Sequence, residues 1–132
     1  LRYPRTRVHL HAGSLVAGNG LRFAVHGERG SYLKHGLDAQ EDRLRAGGMP
    51  GDQGWGLDPR PGELTLAGED GALVTRTVDS LPGDYRRYYG AMRAAIVDGA
   101  PLPVTPEEAI AVMRVIELGL RGAGERREIP YA

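Results

Sequence analysis

Apolar and polar residues alternate along two parts of the chain, which is the pattern of half-buried β-strands. In the first part, alternation predicts a strand over residues 7–17 and a hairpin over residues 21–35, where LRFAVHG and SYLKH flank a GERG turn. In the second part, ELTLAG and ALVTRTVD flank the turn-forming residues EDG, which predicts another hairpin over residues 63–79. The sheet is therefore expected to be largely antiparallel.

The last third of the chain has the three- and four-residue spacing of helices that bury one face. A stripe of aromatic and apolar residues runs from Tyr85 to Ile96, and Gly99 can end this helix. Thr105 is the predicted N-cap of a second helix, where Glu108 completes a capping box, and the closing REIPYA can add a short strand. The stripe expected to be buried on the second helix is Ala109, Val112, Met113, Ile116 and Leu120.

Strands followed by helices indicate an α+β fold, a largely antiparallel β-sheet with helices packed on one face. Two helices cannot cover both faces, so we expect the other face to be open for an oligomer or domain interface. A length of 132 residues predicts a single domain over residues 1–132. The chain opens on LRYPRTR without an initiator methionine, and we expect it to come from the middle of a longer protein.

Composition removes several classes of function. The 17 basic and 17 acidic residues balance, which gives no reason to expect nucleic acid or an anionic membrane as a partner. The absence of cysteine excludes disulfides and thiolate chemistry and fits a cytoplasmic location. No apolar run approaches the ~20 residues that span a bilayer. P-loop, HExxH and GxSxG patterns are absent, and so is a GxGxxG in its strand–helix context.

Two groups of polar residues are candidates for chemistry. His9 and His11 share a strand face, but no third ligand can be placed beside them, so solvated polar side chains are favoured over a metal site. Lys34, His35 and Asp38 form the densest polar cluster. Neighbours on a strand point to opposite faces, so Lys34 and His35 are not expected to act together. The cluster either guards an edge strand with charge or contacts a ligand.

Residues 36–62 form a long segment rich in glycine, proline and aspartate, with one short helical turn predicted from Ala39 to Leu44. Loops of this length are often functional lids or disordered. The only tryptophan, Trp55, lies inside the segment. A large aromatic side chain on a loop must pack against its own domain or against a partner.

Several motifs together resemble the C-terminal domain of the Gfo/Idh/MocA family, which includes glucose–fructose oxidoreductase and inositol dehydrogenase. The motifs are RFAVHGERGSYLKHGLDAQEDRLRAG, GWG followed by Pro59, LPGDYRRYY, and GAPLPVTPEEAIAVMRVIELGLRGAGERREIP. Lys34 opens a K-x-G-x-D-x-Q-E loop that is similar to one subgroup of the family. The resemblance covers residues 7–130 and is carried most specifically by the last motif.

The resemblance implies part of an NAD- or NADP-dependent oxidoreductase that acts on a sugar, a polyol or a derivative. An N-terminal Rossmann domain, absent from this chain, would bind the dinucleotide. The C-terminal domain would help to form the substrate pocket and a homodimer or higher oligomer through the open sheet face. The chain also lacks the family's Glu-Lys-Pro and Asp-x-x-x-His motifs, so no catalytic residue is assigned in it.

By motif position, Asp84 and Tyr85 resemble a helix start that approaches the substrate in some family members. Lys34, His35 and Trp55 belong to a segment that would reach the pocket or a neighbouring subunit. The alternative interpretation is a non-catalytic module that dimerises or binds carbohydrate. Neither interpretation predicts a metal site or a cofactor bound to this chain alone.

Overall fold

The computed structural model describes residues 1–13, 15–18 and 20–131. The chain divides into two compact units, Leu1–Gly83 and Asp84–Ala132. The first unit contains the sheet and a short helix, and the second contains two longer helices. Each unit is described by itself below.

The first unit is built on an antiparallel sheet of four strands, in the order β1-β2-β3-β4. The strands are β1 (Leu21–Gly27), β2 (Gly30–His35), β3 (Gly62–Ala67) and β4 (Leu73–Val78). Both predicted hairpins are therefore confirmed. Because each strand pairs with the next, β2 and β3 are the inner strands. Since these two strands are antiparallel, the last residues of β2 lie beside the first residues of β3, at one end of the strands.

The segment between the inner strands starts with helix α1 (Gln40–Arg45), one residue later than the sequence predicts. The rest of the segment consists of turns, bends and irregular backbone. The two ends of the segment meet where β2 ends and β3 begins, so the segment lies at that end of the strands. This placement brings side chains from distant positions in the sequence close together.

The second unit holds α2 (Tyr85–Asp98) and α3 (Pro106–Glu125), and the predicted end of α2 and start of α3 are confirmed. Gly99 follows α2 in the left-handed conformation, with φ of 68°. Before α3, the Thr105 hydroxyl accepts from the Glu108 N–H at 3.2 Å, and the Glu108 carboxylate accepts from the Thr105 N–H at 2.8 Å. None of the helices in the described part of the chain is long and apolar enough to cross a membrane.

Two predicted strands are wrong. Within the described part of residues 7–17, the only pairing is an isolated bridge between Arg2 and Arg7, and Ser14 lies outside the described residues. The Val8 N–H donates to the Leu1 carbonyl at 2.9 Å, so the segment pairs locally instead of joining the sheet. The described part of REIPYA, which excludes Ala132, is also without strand structure.

The apolar stripe predicted to be buried on α3 is exposed, with Met113 at 64% and Ile116 at 52%. Phe23 and Val25 on β1 are exposed as well. Periodicity locates the apolar face of an element correctly, but it does not say what covers that face. The α+β class and the antiparallel sheet are confirmed. The packing of the helices on one face of the sheet and the openness of the other face stay predictions.

Candidate functional site

The centre of the first unit is polar. Among the described residues, the large side chains that are buried are Lys34, Gln40 and Trp55, with 7%, 2% and 5% of their surfaces exposed. Lysine and glutamine are seldom buried to this extent unless their polar atoms are paired. Two groups of hydrogen bonds supply that pairing, and we call them together the buried polar cluster: Lys34 with Asp58, and Trp55 with Gln40 and Asp38.

The first group is a buried ion pair. Lys34 points inward near the end of β2, where its Nζ donates to Asp58 Oδ2 at 2.6 Å and to the His35 carbonyl at 2.6 Å. The side chains of Lys34 and Asp58 are 9% and 4% exposed. The hydrogen bond from Lys34 holds the pKa of Asp58 below its ordinary value; burial opposes this effect, and the Arg60 N–H reinforces it.

This geometry excludes one of the two interpretations of Lys34 and its neighbours, while a ligand contact stays a prediction. β2 is an inner strand and Lys34 is buried, so a charge that guards an edge strand is the wrong interpretation. The predicted separation of Lys34 from His35 is confirmed, because the His35 side chain is exposed. Lys34 instead joins the end of β2 to Asp58, which is 24 residues further along the chain.

The second group is a chain of three side chains. The Trp55 Nε1–H donates to Gln40 Oε1 at 2.8 Å, and Gln40 Nε2 donates to Asp38 Oδ2 at 3.0 Å. Asp38 Oδ1 also accepts from the Gln40 N–H at 3.1 Å, which holds the start of α1. Because an indole N–H only donates and an ionised carboxylate only accepts, the oxygen and the nitrogen of the Gln40 amide are both assigned by their partners.

Two glycines lie against the second group. The Gly83 N–H donates to the Gly56 carbonyl at 3.0 Å. A Cβ on Gly83 would clash with the Asp38 carboxylate and would lie 2.5 Å from Gln40 Nε2. A Cβ on Gly56 would clash with the backbone of Gly83. At Gly56 the clash is with backbone, so only glycine fits there, whereas a Cβ on Gly83 would displace the ends of the Asp38 and Gln40 side chains.

The segment over residues 36–62 is thus folded by its own buried polar cluster. Trp55 packs within its own unit, which answers the question of what covers it. Gln40 was missed as a central residue, because a polar residue on a short helix is usually exposed. The signal that marks it is its place in the K-x-G-x-D-x-Q-E motif, in which the lysine, the aspartate and the glutamine all enter the cluster.

Asp84 and Tyr85 lie at the start of the second unit. Asp84 is the N-cap of α2, and its Oδ1 accepts from the Arg86 N–H at 3.0 Å. The Arg86 guanidinium also donates to this carboxylate at 2.8 Å and holds the pKa of Asp84 below its ordinary value. Tyr85 is 41% exposed. Asp84 therefore has a structural role that its position in the motif does not reveal.

The described residues offer neither a metal site nor a dinucleotide site. Within the described residues there is no group of three or more histidine, cysteine, aspartate or glutamate residues that could hold a metal ion. All three pairings of the sheet are antiparallel, so the described strands contain no β-α-β unit in which a glycine-rich turn could cradle a dinucleotide. These strands therefore do not form a Rossmann-type site for NAD(P).

The chain matches a family described as "Oxidoreductase family, C-terminal alpha/beta domain" over residues 1–131. It is 45% identical to the oxidoreductase YdgJ of Escherichia coli, over 100% of this chain and 38% of that protein. It is 42% identical to the scyllo-inositol 2-dehydrogenase (NADP(+)) IolW of Bacillus subtilis, over 98% of this chain and 36% of that protein. The chain thus spans little more than a third of the length of these curated relatives.

Solved structures of oxidoreductases have the same fold. The oxidoreductase yvaA of Bacillus subtilis superimposes with a TM-score of 0.84 at 42% identity, over 91% of this chain and 35% of that one. An oxidoreductase from Klebsiella pneumoniae also gives a TM-score of 0.84, at 37% identity, over 100% of this chain and 37% of that one.

Proposed function

Because this chain belongs to the Gfo/Idh/MocA family of oxidoreductases, whose C-terminal domain it matches, we propose that it completes an NAD(P)-dependent dehydrogenase. The proposed substrate is a sugar, a polyol or a derivative. The observation that carries this proposal is the 42% identity, over 98% of the chain, to a relative named as a scyllo-inositol 2-dehydrogenase that uses NADP(+).

In this proposal the chain supplies a surface that contacts the substrate, and residues outside the chain bind the nucleotide. The described strands are all antiparallel, so a Rossmann-type site would have to come from another part of the enzyme. No catalytic residue is assigned in this chain, because it lacks the family's Glu-Lys-Pro and Asp-x-x-x-His motifs. The proposed location is the cytoplasm, which fits a sequence without cysteine.

Tyr85 is the residue of this chain that we propose as the direct substrate contact, since a phenol can both donate to and accept from a polyol hydroxyl. Asp84 caps the start of α2, the helix that begins with Tyr85. His35 offers an exposed imidazole at the end of β2. Lys34 donates to Asp58 and Trp55 donates to Gln40, so neither polar group is directed at a ligand. We propose that both residues shape the substrate pocket indirectly, by holding the fold of the segment over residues 36–62.

The test is turnover by the full-length enzyme that contains this chain. Reduction of NAD or NADP is followed by nicotinamide absorbance with a panel of inositols, linear polyols and aldoses. The Tyr85→Phe variant should raise KM for the preferred substrate, and Tyr89→Phe, on the same helix and exposed, is the matched control. No reduction with any panel member and either nucleotide would refute the proposed activity.

A second candidate function is a non-catalytic module that dimerises or binds carbohydrate. It is favoured by the apolar side chains exposed on the outer strands, namely Leu21, Phe23, Val25, Leu73 and Val74. Sedimentation tests the dimer, because a strict monomer at high concentration argues against it. Calorimetry of this chain with the same sugars and polyols tests direct binding.

A further inference from the structure

The most deeply buried large side chain in the described residues belongs to Gln40, on a helix of only six residues. Helix stability does not require glutamine there, because a buried amide is stable only if both of its ends are paired. Both ends are paired, the oxygen with the indole of Trp55 and the nitrogen with the carboxylate of Asp38. The sequence thus provides two further side chains to keep this amide in one orientation.

The oriented Gln40 amide packs against Gly83. The space for a Cβ on Gly83 is filled by the Asp38 carboxylate and by Gln40 Nε2. On its other side, the Gly83 N–H is held by the Gly56 carbonyl at 3.0 Å. The backbone at Gly83 is therefore enclosed by side chains from one part of the segment and by backbone from another.

Gly83 is joined by its peptide bond to Asp84, the N-cap of α2, and Tyr85 is the first residue of that helix. We infer that Gln40 is a positioning residue of the enzyme: it fixes the backbone of Gly83, the residue that directly precedes the N-cap of the helix carrying Tyr85. This inference rests on the proposed function for its catalytic consequence, but not for its structural one.

The test uses Gln40→Met in the full-length enzyme, because methionine keeps the length of the side chain and removes both hydrogen bonds. Glu41→Gln is the matched control, since Glu41 lies on the same helix, is exposed, and pairs only with exposed Arg45 among the contacts described. Hydrogen exchange is measured at the amides of Gly83 and Arg86 and compared with amides of the β3–β4 hairpin. Kinetics are measured per mole of folded enzyme.

Gln40→Met should accelerate exchange at Gly83 and Arg86 by about tenfold while leaving the hairpin unchanged, because hydrogen bonds of ordinary strength are lost locally. It should also raise KM more than it lowers kcat, with kcat/KM falling on the order of tenfold or more, since misplacement by ~1 Å can cost ~10²-fold. Glu41→Gln should change neither quantity.

Uniform acceleration across the sheet, or unchanged exchange at Gly83, would overturn the inference, because Gln40 would then be only one contributor to global stability. If exchange changes locally but kcat/KM does not, the link to the substrate is refuted. If the wild-type enzyme turns over no sugar or polyol, the proposed function fails, while the exchange result still decides whether Gln40 anchors Gly83. Should Gln40→Met fail to fold, Trp55→Phe, which keeps one aromatic ring and removes the indole N–H together with the pyrrole ring, is read by the same two measurements.

Discussion

Removing the positive charge of the buried ion pair should unfold the first unit far more easily. Lys34→Met keeps most of the aliphatic stem of the side chain and deletes the ammonium group. Asp58 then retains the Arg60 N–H as a hydrogen-bond donor at 3.0 Å but loses the partner that balances its charge. We expect the free energy of unfolding to fall by about 3–5 kcal/mol, which is the usual cost of breaking a buried pair from one side.

The magnitude follows from the geometry of the pair. Exposed pairs contribute only about 0.2–1 kcal/mol, because water screens both charges. Here Nζ and Oδ2 are 2.6 Å apart, and the two side chains are 9% and 4% exposed, so water cannot replace the lost ammonium. A domain of ordinary stability has about 5–15 kcal/mol in total, so the variant is expected to be marginal.

Urea unfolding followed by Trp55 fluorescence measures this loss, because Trp55 lies in the same buried polar cluster. The double variant Lys34→Met/Asp58→Asn should recover much of it, since two neutral side chains leave no uncompensated charge and the introduced amide oxygen can still accept from the Arg60 N–H. Arg45→Gln, which breaks an exposed pair with Glu41, is the control and should cost less than about 1 kcal/mol. A loss below about 1 kcal/mol for Lys34→Met would refute the assignment of a buried pair.

Three further predictions concern the two units separately. The pKa of Asp58 is lowered from 3.8 in the folded state, so its contribution to stability is present above pH ~4 and is lost as pH falls through the folded value. The free energy of unfolding, measured in urea at a series of acidic pH values, should therefore fall with pH in wild type and depend less on pH in Lys34→Met. Thr105→Ala should destabilise α3 by ~1 kcal/mol in thermal unfolding followed by circular dichroism, and no change would contradict the capping box. The buried Ser80 hydroxyl has no hydrogen-bond partner among the described residues, so Ser80→Ala should leave stability unchanged or raise it by up to ~1 kcal/mol in urea unfolding, whereas a clear loss would mean that the hydroxyl is paired.

The local elements of this fold follow from short-range patterns in the sequence. The hairpin turns, the capping box at Thr105 and the left-handed Gly99 each depend on a few neighbouring residues, and each is confirmed. The strand predicted over residues 7–17 fails because alternation cannot show whether a strand finds a partner. The helical spacing of the α3 stripe is confirmed, but nothing in the spacing identifies the surface that covers the stripe, so its burial stays a prediction.

The buried polar cluster could be predicted only in part. Strand geometry separates Lys34 from His35, and a large aromatic side chain on a loop requires Trp55 to pack on something. Both expectations agree with the structure. The partner of Lys34 could not be predicted, because Asp58 is 24 residues away and its approach depends on the fold of the whole segment. Gln40 escaped notice because only a three-dimensional arrangement can show that a polar residue is buried and fully paired.

The central claim is a division of labour, in which this chain shapes the substrate side of a dehydrogenase and another part of the enzyme holds the nucleotide. Titration with NADH and NADPH, performed in parallel on the full-length enzyme and on this chain alone, tests it most directly. The account predicts one nucleotide bound per full-length subunit and none bound by the chain alone. Tight, stoichiometric binding by the chain alone would contradict it.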